Sequence, residues 1–190
     1  MPPKQKYSKQ AIIDAAFEIY RRESNSAINA RQIAKELRCS TQPVFSCFSS
    51  MDELKEELFE HAKGLYREYI KCGLSSENAF KGAGLAYIAF ARQEPQLFKK
   101  LFMQEGHINI SNALDVEESN KEILLSLMSS TGLSRQAAYK LYTEIWIFTY
   151  GIASMLATRT FDFTDEQIER MLDDAFIGLI TRIRQTESEQ

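Results

Sequence analysis

The sequence is poor in the residues that break helices and lacks the pattern typical of β-strands. It has only four prolines and eight glycines among 190 residues, so few positions force a helix to end. No long alternation of Val, Ile or Thr with a period of two appears. With 44% hydrophobic residues, the chain has enough apolar material for a core. These features predict an all-α fold.

Long apolar runs are also absent. The longest nearly apolar stretch, 145-IWIFTYGIASMLA-157, is shorter than the ~20 apolar residues that a membrane span needs. Thr149, Gly151 and Ser154 interrupt it, and it is more typical of a buried helix. The first residues, MPPKQKYSKQ, contain no apolar segment that would direct export. We therefore expect a cytoplasmic protein without membrane contact.

The chain is equally poor in residues that form common catalytic or metal sites. Its three cysteines, Cys39, Cys47 and Cys72, share no CxxC spacing, and only two histidines are present. This argues against a structural zinc site or a disulfide framework. The sequence contains no GxGxxG, Walker, HExxH or GxSxG motif. We expect neither an enzyme nor a cofactor or metal site.

Charge is divided unevenly along the chain. Residues 1–50 contain eight basic and four acidic residues, a net charge of +4, whereas residues 51–190 hold the other fifteen basic and twenty-two acidic residues, a net charge of −7. This asymmetry points to an N-terminal end that faces nucleic acid.

Capping residues mark the first two helices. Ser8 is a favourable N-cap for a helix whose apolar residues recur at steps of three and four. These residues are Ile12, Ile13, Ala16, Phe17 and Tyr20. The helix should end in 22-RESNSA-27, which is rich in turn-forming residues. Asn29 is a cap-like start for a second helix over 30–37.

A short third helix follows after a tight turn. Pro43 lacks an N–H and is tolerated only in the first turn of a helix, so this helix must begin near residues 40–41. The connection then has the length found in a helix-turn-helix. Val44 and Phe48 should face inward, leaving hydroxyl and amide groups outward on a segment, 38–50, without Asp or Glu. Such a surface suits the major groove of DNA; the alternative is two short helices that merely pack at a corner.

A long helix is predicted next. Ser50 and Glu53 form a capping box at its start, and it should run from Met51 to about Cys72. At 1.5 Å per residue it would be about 30 Å long, enough to link a basic N-terminal module to the rest. Further helices are predicted at about 76–93, 95–104, 115–130, 135–159 and 165–185.

The first 65 or so residues resemble the DNA-binding domain of the tetracycline-repressor (TetR) family. The resemblance rests on the helix starting at Ser8, on Ile33-Ala34 and on 40-STQPVFSCFSSMDEL-54. In the last segment the residues that match in type and spacing are Pro43, Val44, Phe45, Phe48, Ser50, Asp52, Glu53 and Leu54. The chain departs from the family at Arg38, where the turn usually has Gly, so a positive φ is predicted there. Cys47, Met51 and Phe45 replace residues that usually contact phosphate.

The remainder resembles the ligand-binding and dimerisation domain of one branch of that family, in 87-YIAFARQEPQLFKKLFM-103 and 146-WIFTYG-151. In that branch the second segment often has Trp, three residues, His and Gly; Tyr150 occupies the His position. The resemblance implies about nine helices. It also implies an N-terminal three-helix DNA-binding domain at 1–50, joined by the long helix to a larger C-terminal helical bundle at 51–190.

The family resemblance implies a ligand-responsive regulator, expected to be a repressor. It would bind a near-palindromic site on double-stranded DNA as a homodimer and release it on binding a small hydrophobic ligand. The alternative is an all-α module that binds a small molecule or a protein without specific DNA binding. Cys47 admits an oxidation switch as a further interpretation, but no activating base stands beside it in the sequence.

Three sets of site residues follow. The expected DNA contacts are Lys4, Lys6, Lys9, Asn29, Ala30, Arg31, Gln32, Arg38, Ser40, Thr41, Gln42, Pro43, Phe45, Ser46, Cys47 and Met51. The expected ligand contacts are Tyr87, Phe90, Phe98, Phe102, Met103, Met128, Tyr142, Trp146 and Tyr150; the alternative is that these aromatics are simply core. The expected dimer contacts are Ile152, Met155, Ile168, Leu172, Phe176, Leu179, Ile180 and Ile183; the alternative is burial within one subunit.

Overall fold

The protein is all-helical wherever its structure is described. The computed structural model describes residues 7–23, 28–104 and 118–188, and within these ranges it contains nine α-helices and no strand. They are α1 (Lys9–Arg22), α2 (Ala30–Glu36), α3 (Gln42–Cys47), α4 (Met51–Leu74), α5 (Ala79–Gln93), α6 (Pro95–Phe102), α7 (Glu118–Thr131), α8 (Arg135–Ala157) and α9 (Asp165–Ser188). The all-α prediction is confirmed. Among the described helices, none combines the length and the apolar composition needed to cross a membrane.

The helices sort into two compact units. The first unit comprises Met1–Leu65 and Glu94–Gln104, and the second comprises Tyr66–Gln93 and Glu105–Gln190. Helix α6 therefore belongs with α1–α3 and the first part of α4. The compact units do not divide at residue 50. The assignment of separate functions to 1–50 and 51–190 remains a prediction.

The first unit is built around the apolar faces of its short helices. Ser8 caps α1 by accepting a hydrogen bond from the Ala11 N–H at 3.1 Å, as predicted. Fully buried side chains from α1, α2, α3 and α4 form the core, and they include Ile12, Ile33, Val44, Leu54 and Leu58. Helix α6 packs against α1, so the apolar residues at the start of α6 complete this core.

Two charged side chains fix α6 to the end of α1. The Arg21 guanidinium forms a paired contact with the carboxylate of Glu94, which is buried and precedes α6. The buried Lys100 ammonium donates to the backbone carbonyls of Tyr20 and Glu23, both at 2.6 Å, and lies 4.4 Å from the centre of the Tyr20 ring. These carbonyls lack helical partners at the end of α1, and a cation there is favourable.

The second unit is a bundle in which α5 and α9 both pack against α8, and α7 packs against α5 and α8. Ser134 caps α8 by accepting from the Ala137 N–H at 3.2 Å. Thr164 and Gln167 form a capping box at α9, with reciprocal hydrogen bonds of 2.9 and 3.2 Å. Local capping chemistry therefore sets these helix starts.

The start of α5 differs from its predicted position. It begins at Ala79 rather than near 76, because Asn78 acts as the cap and accepts from the Lys81 N–H at 3.0 Å. Just before it, α4 and α5 approach so closely that a Cβ added at Gly73 would lie 2.4 Å from the Gly82 carbonyl oxygen. Only glycine allows this approach of the two backbones.

Candidate nucleic-acid interface and ligand cavity

The turn between α2 and α3 contains the strained residue that the sequence predicts. Arg38 has φ 52°, a left-handed conformation that favours glycine. The Cys39 N–H donates to the Ala34 carbonyl at 2.9 Å, and the Arg38 N–H donates to the Lys35 carbonyl at 3.1 Å. This is a Schellman motif, which closes the last turn of α2. The geometry directs the chain into α3.

Helix α3 has a buried and an exposed side, as predicted. Val44 and Phe48 are buried, whereas Gln42 and Ser46 are exposed. Phe45 also points outward, with 58% of its surface exposed. Pro43 lies in the first turn, where its missing N–H costs nothing. The exposed side thus offers an amide, a hydroxyl and an aromatic ring.

The first two carboxylates after α3, those of Asp52 and Glu53, lie in the first turn of α4. Ser50 caps the helix by accepting from the Glu53 N–H at 3.1 Å. The Glu53 carboxylate accepts from the hydroxyl and the N–H of Ser49, at 2.6 and 2.7 Å. The Ser49 hydroxyl, and after it the Ser49 N–H, hold the pKa of Glu53 below its usual value. Its charge is therefore engaged in closing the loop between α3 and α4.

Several predicted DNA contacts are placed differently by the structure. Ala30 is buried, because its side chain faces the core at the first position of α2. The Asn29 side chain caps α2 by accepting from the Gln32 N–H at 3.0 Å. Lys9 forms an ion pair with Glu57 and lies 4.9 Å from the centre of the Phe48 ring.

The other predicted DNA contacts divide by exposure. Exposed are Arg31, Gln32, Arg38, Ser40, Gln42, Phe45 and Ser46. Half-buried are Thr41, Pro43, Cys47 and Met51. Lys4 and Lys6 lie outside the described residues. The exposed residues of this set include Arg31 and Arg38. Their positive charges take no part in the core.

A cavity lies in the second unit, among α4, α5, α7 and α8. This inner cavity has a volume of about 50 Å³. Its lining comes from α4, α5, α7 and α8 and consists of Tyr66, Ile70, Phe80, Ala83, Gly84, Tyr87, Asn120, Ile123, Tyr142, Ile145, Trp146 and Thr149. The lining is mainly apolar and aromatic, with a few polar tips and no charged side chain. That composition suits a small hydrophobic molecule.

Hydrogen bonds already use some of the polar tips. The Tyr142 hydroxyl donates to Asn120 Oδ1 at 2.9 Å, and the Thr149 hydroxyl donates to the Ile145 carbonyl at 2.8 Å. Burial raises the pKa of Tyr87 well above its ordinary value, so this side chain stays neutral.

The predicted ligand residues separate into two groups. Tyr87, Tyr142 and Trp146 line the inner cavity. Phe90 is buried beside it, and Tyr150 stacks on Trp146 at 5.7 Å; neither these two nor Met128 belongs to the lining.

Three predicted ligand residues lie in the other unit. Phe98, Phe102 and Met103 are in or next to α6, which is part of the first unit. Helix α6 buries its apolar face against α1, and a ligand contact at these three residues stays a prediction. Phe98 is fully buried there, and Met103 is largely exposed.

The residues missed in the lining had a signal in the sequence. Phe80, Gly84 and Tyr87 follow each other at steps of four and three along α5, and Tyr142, Trp146 and Thr149 do so along α8. The same helical face therefore runs through predicted and missed positions. Aromatic size does not mark the small residues, such as Gly84, whose short side chains leave room for the cavity.

The predicted dimer stripe is mostly buried within the single chain. Ile152, Ile168, Leu172, Ile180 and Ile183 are buried, while Phe176 and Leu179 are half-buried. Of the predicted set only Met155 is exposed. Helix α9 turns this stripe against α8, and a dimer contact at these residues stays a prediction. The exposed apolar residues on these two helices are instead Ile147, Phe148, Met155 and Ile177.

Comparisons with known proteins address the C-terminal part of the chain. A family model described as the tetracyclin repressor-like C-terminal domain matches residues 80–176, slightly more than half of the sequence. The match covers α5 to α8 and the first half of α9, which contribute most of the inner cavity. No curated protein matches the chain. Among the described residues, no group of three or more His, Cys, Asp or Glu is placed to hold a metal ion.

Proposed function

Because the chain belongs to the tetracyclin repressor-like family, we propose that it is a transcriptional regulator. It binds double-stranded DNA as a homodimer and is released by a small hydrophobic ligand, acting as a repressor. The alternative, an all-α binding module without specific DNA binding, shares the cavity but needs no exposed recognition surface. The described structure and the family give no reason to assign a catalytic activity.

The observation that carries this proposal is the exposed side of α3. Gln42 and Ser46 are exposed polar residues on one short helix, and an amide can bind an adenine edge through paired hydrogen bonds. The Ser46 hydroxyl donates to the Gln42 carbonyl at 2.9 Å, so its oxygen is available as an acceptor. The exposed Phe45 ring can pack on a thymine methyl or a sugar. These three exposed side chains do not contribute to the packing of the core.

The surroundings of α3 suit phosphate groups. Arg31 and Arg38 are exposed in α2 and in the turn before α3. Of the first two acidic residues after α3, Asp52 accepts from Lys55 at 3.1 Å and Glu53 is held by Ser49. We propose that the arginines, with Lys6, contact phosphate, while Thr41 and Gln42 contribute to base recognition.

We propose that the dimer forms through the outer face of α8 and α9. Ile147 and Ile177 are 51% and 60% exposed in the single chain, and burying the exposed part of each would contribute about 1–2 kcal/mol. A twofold dimer would present two copies of α3. Recognition of a near-palindrome requires them ~34–36 Å apart, one turn of the double helix.

The ligand acts through the cavity of the second unit. It can release DNA only if it binds the DNA-free arrangement more tightly than the DNA-bound one. The uncharged aromatic lining favours a hydrophobic ligand.

The deciding experiment is a selection from random duplexes with the purified full chain. We expect enrichment of a near-palindrome with half-sites one helical turn apart, and an affinity that falls steeply with salt. Uniform, weak binding to all duplexes would instead support the binding module without DNA specificity.

Variants then separate base readout from phosphate contact. Gln42→Ala and Thr41→Ala should change the preferred sequence, whereas Lys6→Ala should weaken all duplexes alike and lower the salt slope by about 1. Gln136→Ala, an exposed glutamine on α8, is the matched control and should change neither. Unchanged preference in both α3 variants would contradict the assignment of direct readout.

The dimer contact has its own test. Ile177→Lys places a charge in the proposed interface and should convert the protein to a monomer in sedimentation at micromolar concentration. Leu125→Lys changes an equally exposed residue on α7 and should leave the dimer intact. If the unaltered protein is a monomer, the proposed recognition of a near-palindrome by two copies of α3 is excluded.

A further inference from the structure

The residues at the start of α1 contact the chain on both sides of α3. The Tyr7 hydroxyl donates to the Leu37 carbonyl at 3.2 Å, and Leu37 is the C-cap of α2, just before the turn. Two residues further along, the Lys9 ammonium lies 4.9 Å from the centre of the Phe48 ring, and Phe48 is the C-cap of α3. One short stretch of the first unit therefore touches the residue before the turn and the residue that ends α3.

The peptide group between Leu37 and Arg38 is held at both of its polar atoms. Its oxygen accepts from Tyr7, a residue 30 positions away in the sequence, and its N–H donates to the Lys35 carbonyl at 3.1 Å. Arg38 then turns the chain with φ 52°. Because a peptide group is planar and φ is the rotation that follows it, the orientation of this group sets the direction in which the chain enters α3.

Helix α3 depends on such outside contacts for its orientation. It has six residues, whereas an isolated helix shorter than about 12–15 residues is marginal in water. Its N-cap, Thr41, makes no side-chain capping hydrogen bond, and Val44 is the only buried residue within the helix. Together with the buried Phe48, this gives two apolar anchors on one side of α3. Two anchors resist rotation about the line between them only weakly.

Lys9 connects the end of α3 to α4. Its ammonium forms an ion pair with the Glu57 carboxylate while it lies over the Phe48 ring, and a cation is attracted to the face of an aromatic ring. The ion pair is partly exposed, so its Coulomb attraction contributes little to stability. Its effect is on geometry, because the carboxylate and the ammonium place Phe48 relative to α4.

We propose that Tyr7 and Lys9 are positioning residues for DNA recognition: they hold α3 in the orientation that reads bases and do not themselves contact DNA. Paired hydrogen bonds to a base edge need donor–acceptor distances of about 2.7–3.2 Å, so a small tilt of α3 breaks them. Attraction to phosphates extends over about 8–10 Å and changes little with the same tilt. Loss of either contact should therefore lower discrimination between sequences while non-specific binding persists. This consequence for DNA rests on the function proposed above.

The first experiment measures hydrogen–deuterium exchange of the DNA-free full chain. Tyr7→Phe removes only the hydroxyl, and we expect the protected amides of residues 38–48 to exchange about fivefold faster, the effect of one typical hydrogen bond. Residues 51–65 of α4 should exchange at an unchanged rate. Tyr69→Phe is the matched control, since it removes a hydroxyl that donates to Gln93 at 2.7 Å within the second unit, and it should change neither segment. Unchanged exchange at 38–48, or equal acceleration in both segments, would overturn the inference.

The second experiment compares the selected duplex with a scrambled duplex by fluorescence anisotropy. Tyr7→Phe should lower the ratio of the two affinities about fivefold and leave the salt slope unchanged. Lys9→Met should lower the same ratio, whereas Lys9→Arg, which can keep both contacts of the cation, should preserve it. If Lys9 contacted a phosphate, Lys9→Met would instead weaken both duplexes alike and lower the salt slope by about 0.9. That result, or an unchanged ratio in Tyr7→Phe, would refute the positioning role.

The positioning role and the regulatory proposal can fail separately. If no duplex is selected, the regulatory proposal fails, and the exchange experiment still decides whether Tyr7 holds α3. Selection of a near-palindrome together with unchanged exchange in Tyr7→Phe would uphold DNA recognition and overturn the positioning role.

Discussion

Two arginines share the same strained backbone conformation at the ends of two helices. Arg38 has φ 52° and Arg159 has φ 56°. Each follows the C-cap of its helix, and each is enclosed by the same pair of backbone hydrogen bonds. Beyond α8, the Thr160 N–H donates to the Met155 carbonyl and the Arg159 N–H to the Leu156 carbonyl, both at 3.0 Å. Substituting each arginine by glycine therefore tests one physical effect at two places.

The expected magnitude is the same at both positions. The left-handed conformation costs an L-residue about 1–2 kcal/mol because of its Cβ. Glycine removes this cost but adds conformational freedom to the unfolded chain, worth about 0.5–1 kcal/mol. We expect Arg38→Gly and Arg159→Gly each to raise the free energy of unfolding by about 0.5–1 kcal/mol. For a chain of this size, this corresponds to a rise in Tm of about 1–4 °C.

The assay is urea unfolding followed by far-ultraviolet circular dichroism at fixed protein concentration. The two residues lie in different compact units, so the gains of the double variant should add. Titration of DNA at several salt concentrations then separates strain from charge. Arg38→Gly should lower the salt slope by about 0.9 if Arg38 contacts a phosphate, whereas Arg159→Gly should not change it. A loss of stability in both variants would refute the assignment of strain to the positive φ.

Two further predictions concern stability. Gly73→Ala places a methyl group against the α5 backbone and should lower the free energy of unfolding by about 1–2 kcal/mol net. Gly64→Ala should raise the free energy of unfolding by about 0.5–1 kcal/mol through helix propensity. Urea unfolding measures both changes. Burial lowers the pKa of Lys100 from 10.5 to about 8. The unfolded chain therefore holds this proton more tightly between pH 8 and 10.5, and stability should rise with pH across that window by at most about 3 kcal/mol relative to Lys100→Met. Parallel pH profiles of the two proteins would contradict the buried position of the ammonium.

Helix starts were predictable because their determinants are local. Ser8, Ser134 and Thr164 accept hydrogen bonds from backbone N–H groups three residues further along. Such contacts depend only on sequence spacing. The strain at Arg38 was predictable on a different ground, the family resemblance, because that family usually has Gly at this position of the turn.

The partner of an apolar helical face was less predictable. The spacing of Ile168, Leu172 and Ile180 shows that one side of α9 is buried, but the period is identical whether the partner is α8 of the same chain or a second copy. The same ambiguity affects α6, whose Phe98 looked like a ligand contact and lies in the core of the first unit. Periodicity identifies a buried face without naming the element that covers it.

The cavity shows a different limit of sequence reasoning. Tyr87, Tyr142 and Trp146 were predicted from their size and helical spacing, and they do line it. Gly84 and Thr149 were not predicted, because the space exists where side chains are short. Large residues form the boundary of a cavity, but small residues determine its volume.

The position of α6 restricts how the chain can be divided or recombined. The backbone passes between the two units after Leu65, after Gln93 and after Gln104, so a fragment ending at Leu65 lacks the segment that buries Glu94 and Lys100 against α1. Such a fragment would expose the apolar surface that α6 normally covers. A chimera that exchanges the first unit between relatives must therefore transfer two separate stretches of sequence. Natural recombination at a single crossover would break the same contacts between α1 and α6.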